Sequence, residues 1–205
     1  MNEKTKLLKI KFIETKFREI MKDGLDLDMN DASLKDTPVR VAKMYINEIF
    51  SGLDGENFPK VTTFPNDSGY NQIIGMYNQT IFSMCEHHFL PFKMNINIGY
   101  IPSKEGRIIG ASKLIRVAKY FARRPQVQER LANNIAEYLE KKLKSLGVIV
   151  YITKGEHLCV QMRGVENTTS EFVTSEVRGT FLKNPHLEEK FLRMIKWKKY
   201  IFVAE

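Results

Sequence analysis

The chain is poor in cysteine: 205 residues carry two, with four histidines and a single tryptophan. Two thiols cannot staple a chain of this length, so a disulfide framework is excluded. Metal binding, catalysis or inert burial remain for them. No run approaches the roughly 18 consecutive apolar residues of a membrane span. The opening Met1-Asn2-Glu3-Lys4-Thr5-Lys6 has no apolar stretch of signal-peptide length behind it. The default expectation is therefore a cytoplasmic protein. Low complexity and internal repeats are absent too. With 13 Phe and 8 Tyr the chain can build a core, which rules out disorder as its main state. Acid is in the minority, 24 Asp plus Glu against 32 Lys plus Arg, giving a net charge of +8. That favours an anionic partner: nucleic acid, an anionic membrane or a phosphorylated small molecule.

Periodicity divides the chain. Leu7, Ile10, Ile13, Phe17, Ile20 and Met21 recur at helical spacing, with Gly24 as the stop. Asp36-Thr37-Pro38 starts a second helix, with Val41, Ala42, Tyr45, Ile49 and Phe50 on its apolar face and Gly52 at its end. Residues 53–70 read as a connecting loop. These features set an N-terminal helical region over 1–68 apart from a larger domain over 69–205. In the latter, residues 73–84 read as a strand. Residues 94–100 alternate, Met94, Ile96, Ile98 and Tyr100 against Asn95, Asn97 and Gly99, as a half-buried antiparallel strand does. Ser112 caps a helix to Ala122 that Pro125 interrupts. Val127, Leu131, Ile135, Leu139 and Leu143 line a longer helix that Gly147 ends. Strands follow near 148–163 and 171–182, then a basic tail over 183–205, containing Trp197, as a terminal helix. Strand pair, helix pair, strand pair defines an α+β fold with helices on one sheet face.

Five of the six His and Cys residues fall in two short segments, Cys85-Glu86-His87-His88 and Glu156-His157-Leu158-Cys159; His186 is the outsider. Zinc takes thiolate and imidazole ligands, and a catalytic site keeps one position for water. Cys85 and His88 converge on one ion only if the chain turns between them, and Leu90-Pro91 fits a strand break there. Cys159 supplies a third ligand from a separate strand, with His157 two residues earlier on the same strand face. A structural site would need a fourth protein ligand, His87 or His157. A Cys85–Cys159 disulfide is the competing arrangement, disfavoured in a reducing cytoplasm. With a metal-activated water beside them, the two unligated histidines are suited to proton transfer. The combination points to metal-assisted hydrolysis or hydration.

Seven cations, Arg107, Lys113, Arg116, Lys119, Arg123, Arg124 and Arg130, crowd one segment in which Glu129 is the only acid. Lys113 and Arg116 sit in the first turns of the helix behind Gly110 and Ser112, where free amides and the dipole favour a phosphate chain. A solvated helix face is the plain alternative. Arg163-Gly164, close after Cys159, favours the anion site. Glu129 suits either an ordinary helix ion pair or a carboxylate accepting two hydrogens from a guanine N1 and N2 edge.

These residues resemble the GTP cyclohydrolase I family. The matching segments run from Thr37-Pro38-Val39-Arg40-Val41-Ala42 through Cys85–His88 with Leu90-Pro91-Phe92, then Gly99-Tyr100-Ile101-Pro102 and Ile109-Gly110-Ala111-Ser112-Lys113-Leu114 with Arg116. They continue with Phe121-Ala122-Arg123-Arg124-Pro125-Gln126-Val127-Gln128-Glu129-Arg130, Glu156-His157-Leu158-Cys159 and Met162-Arg163-Gly164-Val165. The resemblance implies a tunnelling fold, a β-β-α-α-β-β unit whose subunit sheets join five at a time into a barrel. Two barrels stack into an allosteric homodecamer with active sites between subunits. It assigns zinc to Cys85, His88 and Cys159, and the catalytic acid/base pair to His87 and His157. Ser112, Lys113, Arg116 and Arg163 take the triphosphate and ribose contacts, Ser112 counting among the catalytic residues. Glu129 with Gln128 reads guanine, and Arg40 reaches phosphate from another subunit.

The implied reaction is hydrolytic opening of the guanine imidazole ring of GTP at C8. His157 serves N7 and His87 the ribose ring oxygen. Formate leaves, and rearrangement gives 7,8-dihydroneopterin triphosphate, the first step of pterin and tetrahydrofolate synthesis. Neither nucleic acid nor membrane is an implied partner. Two features depart from the pattern: Met94-Asn95 stands where many members have Gly-Lys, and the tail is unusually aromatic. The short N-terminal extension implies little regulation through it. Two other readings compete. One is a nitrile reductase of the same fold, with a nucleophilic cysteine and NADPH. The other is a zinc-stabilised nucleic-acid-binding module using the basic stretch, which predicts salt-sensitive binding.

Overall fold

The computed structural model describes residues 1–196. Trp197 and the rest of the aromatic tail lie outside the described residues. The chain divides into two compact units between Phe58 and Pro59. The boundary expected at 68/69 therefore falls ten residues too late, because 59–68 contains a strand belonging to the second unit.

In the first unit, α1 (Glu3–Glu19) begins at Asn2, whose side chain accepts a hydrogen bond from the Thr5 amide at 2.9 Å. It runs into a π turn at Ile20–Gly24. α2 (Thr37–Met44) has Pro38 in its first turn and continues as a π turn over Tyr45–Ile49. Ile10, Met21 and Ala42 are buried, whereas Leu7 and Ile20 are 58% and 54% exposed. The apolar stripe expected along α1 is thus only partly covered, because α2 is half its length.

The second unit contains β1 (Thr63–Pro65), β2 (Ile74–Cys85), β3 (Pro91–Ile101) and β4 (Arg107–Ile109). Then come α3 (Ala111–Ala122), β5 (Pro125–Gln126), α4 (Gln128–Leu143) and β6 (Gly147–His157). The helical turn α5 (Leu158–Gln161), β7 (Phe172–Gly179), α6 (Thr180–Lys183) and α7 (Pro185–Lys196) complete it. The main sheet has the order β5-β2-β3-β6-β7, antiparallel except for β2 with β5. The expected α+β class and the order of strand pair, helix pair, strand pair are both present. β1 pairs with β4 in a separate ribbon, so 53–70 is not purely a loop.

One sheet face packs on α3 and α4. Met94, Ile96, Ile98 and Tyr100 of β3 and Val148, Val150 and Ile152 of β6 meet Leu114 and Ala118 of α3 and Leu131, Ile135 and Leu139 of α4. The opposite face is not left to solvent. Ile101 and Ile149 pack with Phe181 and Phe191 of the C-terminal helices. Gly99 receives the Phe191 ring, which a Cβ there would meet at 2.5 Å. Asn97 is buried, accepting from the Asn78 amide at 2.8 Å and donating to the Tyr151 carbonyl at 3.0 Å. β3 is therefore covered on both faces rather than half-buried. The pairing of β3 with β6 shifts register between Lys93 and Asn95, at the Met94-Asn95 departure.

Three boundaries differ from expectation. Gly110, not Ser112, is the cap position of α3, and Ser112 lies inside its first turn. α4 ends on Lys144 in the left-handed region (φ 48°), while Gly147 opens β6 where a Cβ would strike Thr180 and the Arg178 carbonyl. β6 stops at His157, so Cys159 sits on the helical turn α5 and not on a strand.

Tyr77 on β2 is half-buried against Phe191, its hydroxyl 3.5 Å from Met194 Sδ. Burial disfavours its phenolate and pushes its pKa from 10.0 up to about 12. The protonated phenol therefore contributes stability in full below pH 10, and that contribution is lost as pH rises toward 12. Urea denaturation between those values should show a steeper loss for the wild type than for Tyr77→Phe. Parallel curves would count against the docking of α7 on Tyr77.

Candidate active site

β2 ends at Cys85 and β3 begins at Pro91, and the five residues between them make a tight turn. The Phe89 amide donates to the Cys85 carbonyl at 2.9 Å, the Cys85 amide donates to the Leu90 carbonyl at 2.8 Å, and Phe89 takes φ 53°. This is the turn that a Cys-x-x-His pair needs, and it places Cys85 Sγ 4.0 Å from His88 Nδ1. On the other side, β6 delivers Cys159 one turn past its end. The donor atoms of Cys85, His88 and Cys159 all lie within 4.8 Å of one another. His87 Nδ1 is 3.9 Å from Cys85 Sγ, yet His87 does not join the mutual set. The arrangement is a three-ligand group rather than a closed four-ligand one.

Burial raises the Cys159 thiol pKa, and Cys85 beside it adds to the effect, while the Arg163 charge opposes it. The Cys159 thiol thus resists ionisation on its own; a divalent cation beside it would reverse that. Thiolate and imidazole together select a transition metal or zinc over the hard, oxygen-seeking cations. Arg163 Nη1 lies 3.0 Å from His88 Nε2. Glu86 forms a two-pronged ion pair with Arg130 of α4, one arm at 3.0 Å, which holds the Glu86 carboxyl below the usual range. That pair fastens the turn carrying Cys85 and His88 to α4.

A cavity of about 280 Å³ opens beside these ligands, lined among others by His87, Gln128, Glu129, His157 and Phe172. His157 stacks flat on Phe92, ring centroids 4.4 Å apart and planes 7° apart, with Phe172 edge-on at 5.5 Å. Its Nε2 is 3.0 Å from Gln128 Oε1. Burial lowers the His157 pKa, partly offset by Glu129. Glu129 is exposed at the cavity and Gln128 is wholly buried. The His87 side chain is 64% exposed.

Other expected site residues are not brought here within one chain. Ser112, Lys113 and Arg116 occupy the first turns of α3. The far end of α3 is tied to β2 by the Ser83 hydroxyl donating to the Ala122 carbonyl at 2.6 Å. A twelve-residue helix separates its ends by about 17 Å, and none of the three lines the cavity. Arg40 belongs to the first unit, 3.6 Å from Asp36. Sequence reading missed Phe92, Phe172, Glu171 and the Glu86–Arg130 pair as site components. Phe92 and Phe172 owe their places to cross-strand register, Phe92 opposite His157 and Phe172 opposite Gly155, and the Glu86–Arg130 pair to a contact 44 residues apart in sequence, none of which a local motif displays.

Fold and site together define an antiparallel α+β protein with a group that could hold a metal ion beside a cavity. The profile of the family described as GTP cyclohydrolase I matches residues 13–196. The "GTP cyclohydrolase 1" of Mannheimia succiniciproducens is 43% identical over 183 residues, 89% of this chain and 82% of that one. That of Buchnera aphidicola is 44% identical over 167 residues, 82% and 75% of the two chains. That of Flavobacterium johnsoniae is 43% identical over 189 residues, 89% and 83%. The chain belongs to the GTP cyclohydrolase I family.

Arg130→Met should free the metal-binding turn from α4 and weaken metal affinity about tenfold or more, read by competition with a chelator of known affinity. An unchanged affinity would show that the turn holds its shape without the clamp.

Proposed function

We propose that this chain is a zinc-dependent GTP cyclohydrolase I. It opens the guanine imidazole ring of GTP hydrolytically, releases C8 as formate and yields 7,8-dihydroneopterin triphosphate, which feeds pterin and tetrahydrofolate synthesis. The observation that carries this reading is the convergence of Cys85, His88 and Cys159 beside a cavity that also holds His87, His157 and Glu129. Tetrahedral zinc with two sulfurs and one nitrogen spaces its ligands about 3.5–3.8 Å apart. The donors here need a contraction of about an ångström or less to reach that.

Zinc, which Cys85, His88 and Cys159 would hold, would supply the Lewis acidity that lowers the pKa of water toward neutrality. The protein residues do the rest. Glu129 accepts hydrogens from N1 and the exocyclic amine of guanine, setting the base in the cavity. Gln128 stands beside it on the same wall. His157 exchanges a proton at N7 as the imidazole ring opens. His87, exposed and free to turn, serves the ribose ring oxygen in the later rearrangement. Arg163 lies on the ligand side, where its charge draws the triphosphate in. Both cysteines lying with His88 supports metal binding over the reductase alternative, which needs one of them as a free nucleophile.

The phosphate handle requires Ser112, Lys113 and Arg116, none of which lines the cavity of its own chain. A neighbouring copy supplies them in this reading, and Arg40 reaches in likewise. The sheet supports such assembly. β7 is an unpaired edge among the described residues, β5 covers only the end of β2, and Phe82, Phe172 and Val173 are exposed. Edge-to-edge joining in a closed ring of five, two rings stacked, satisfies these edges. The site of action is the cytoplasm; no helix among the described residues is long and apolar enough to cross a membrane.

Purified protein given GTP should release formate and develop pterin absorbance, and a chelator should stop both. Cys159→Ala and His88→Ala should lose zinc and formate release together. Glu129→Gln should keep zinc while losing discrimination between GTP and ITP. Formate release persisting in a zinc-free Cys159→Ala protein would end this reading.

A further inference from the structure

Gln128 is the first residue of α4, 0% exposed, and lies under the His157 ring. Its amide spends all its usual bonds inside the protein. Nε2 donates to the Phe172 carbonyl at 3.2 Å and to Thr174 Oγ1 at 3.1 Å. The Phe172 carbonyl can only accept, so the nitrogen of the amide must face β7 and the oxygen must face His157. An amide oxygen cannot donate. His157 Nε2, 3.0 Å from Oε1, therefore carries a hydrogen in every protonation state compatible with this contact. Among the described residues no other hydrogen bond reaches that ring, leaving Nδ1 to whatever enters the cavity.

The packing leaves the pair little freedom. Phe92 lies parallel to the imidazole and Phe172 meets it edge-on. Gly155 permits the approach: a Cβ there would come 2.4 Å from Gln128 Oε1 and 2.5 Å from the Phe172 carbonyl. A side chain with no exposed surface and no spare donor is poorly suited to reading a base. Glu129, next in sequence and exposed at the cavity, is suited to it.

We propose that Gln128 is a positioning residue that holds the His157 ring through Nε2–H and dedicates Nδ1 to the substrate. Its amide oxygen can only accept, which keeps the hydrogen on Nε2 and leaves Nδ1 free of protein partners among the described residues. The assignment rests on the reading of His157 as a proton carrier, and it removes Gln128 from the guanine contacts.

The test uses the zinc-loaded enzyme and four variants: Gln128→Met, which keeps volume, Gln128→Glu, which keeps an oxygen toward Nε2–H, His157→Ala, and the Gln128→Met/His157→Ala double. Turnover of GTP is compared with affinity for 7-deaza-GTP, which keeps the N1 and N2 edge but has no imidazole to open. Gln128→Met should lower kcat about 10- to 100-fold, with KM and 7-deaza-GTP affinity within about twofold. Gln128→Glu should recover part of the turnover. In the double variant Gln128→Met should add no further loss to His157→Ala, because a residue acting only through His157 has nothing left to position. With four histidines in the chain, ¹⁵N spectra of histidine-labelled protein should show one Nε2–H signal missing in His157→Ala and displaced in Gln128→Met.

Weakened 7-deaza-GTP binding with kcat kept in Gln128→Met would make Gln128 a base reader and overturn the proposal. A multiplicative loss in the double variant would make it a purely structural residue. Should Gln128→Met not fold, a Gln128→Glu enzyme with the ¹⁵N signal intact but turnover as low as that of His157→Ala would refute it equally. Full turnover in His157→Ala is a separate outcome: it removes the role of His157 itself, whatever Gln128 does.

Discussion

Phe92 stands opposite Ser83 on one side and opposite His157 on the other. Two residues beyond Ser83 comes Cys85; two beyond His157 comes Cys159. The central strand β3 thus sets the offset of both cysteines, and the metal group exists because its two pairings finish level. Sheet registers of this kind are held by which side chains face the core, since a slip of one residue turns every side chain over. Here the run Met94, Ile96, Ile98 and Tyr100, each wholly buried, locks β3 under α3 and α4. The core positions of one strand and the separation of two sulfurs are one constraint.

That constraint creates an electrostatic problem whose solution is chemical. Two thiols, three imidazoles and an arginine are gathered at one end of a sheet. The raised pKa of Cys159 and the lowered pKa of His157 both follow from withdrawing ionisable groups from water. A cation with a taste for sulfur relieves the first. The second leaves an imidazole whose neutral form is favoured, lining the cavity. Groups made uncomfortable by burial are those poised to bind a metal or move a proton. The Glu86–Arg130 pair shows the opposite case, an exposed ion pair whose value lies in tying down a turn.

Local pattern made much of this visible beforehand. The alternation over 94–100, the apolar stripe from Leu131 to Leu143 and the clustering of Cys and His carry their meaning in a few consecutive residues. Other features depend on partners distant in sequence. The second cover on β3 was hidden because Phe191, which fills the space above Gly99, is remote along the chain. Ser112 has the residue type of a helix cap, but the helix is capped two residues earlier, at Gly110. Cys159 was placed on a strand because the apolar run continues past His157, while the backbone turns into a helix there. Phe92 and Phe172, the walls around His157, looked like ordinary core.

The division of the expected ligands is itself informative. One end of α3 abuts the strand that carries Cys85; the other carries Ser112, Lys113 and Arg116. None of these three residues lines the cavity of its own chain, and a rigid helix holds its two ends about 17 Å apart. Either the cations at the start of α3 serve no substrate, or they serve the cavity of another copy. The β7 edge, unpaired among the described residues and with Phe172 of the cavity wall at its start, puts the second possibility on a physical footing: the strand that borders the site is also the edge of the sheet. Pairing that edge would bury the exposed wall and bring foreign side chains to the mouth of the cavity in one step. In the proposed ring, closing the sheet and completing the active site are then the same event, and a lone subunit, with Arg163 beside its candidate ligands, would lack the other proposed phosphate contacts.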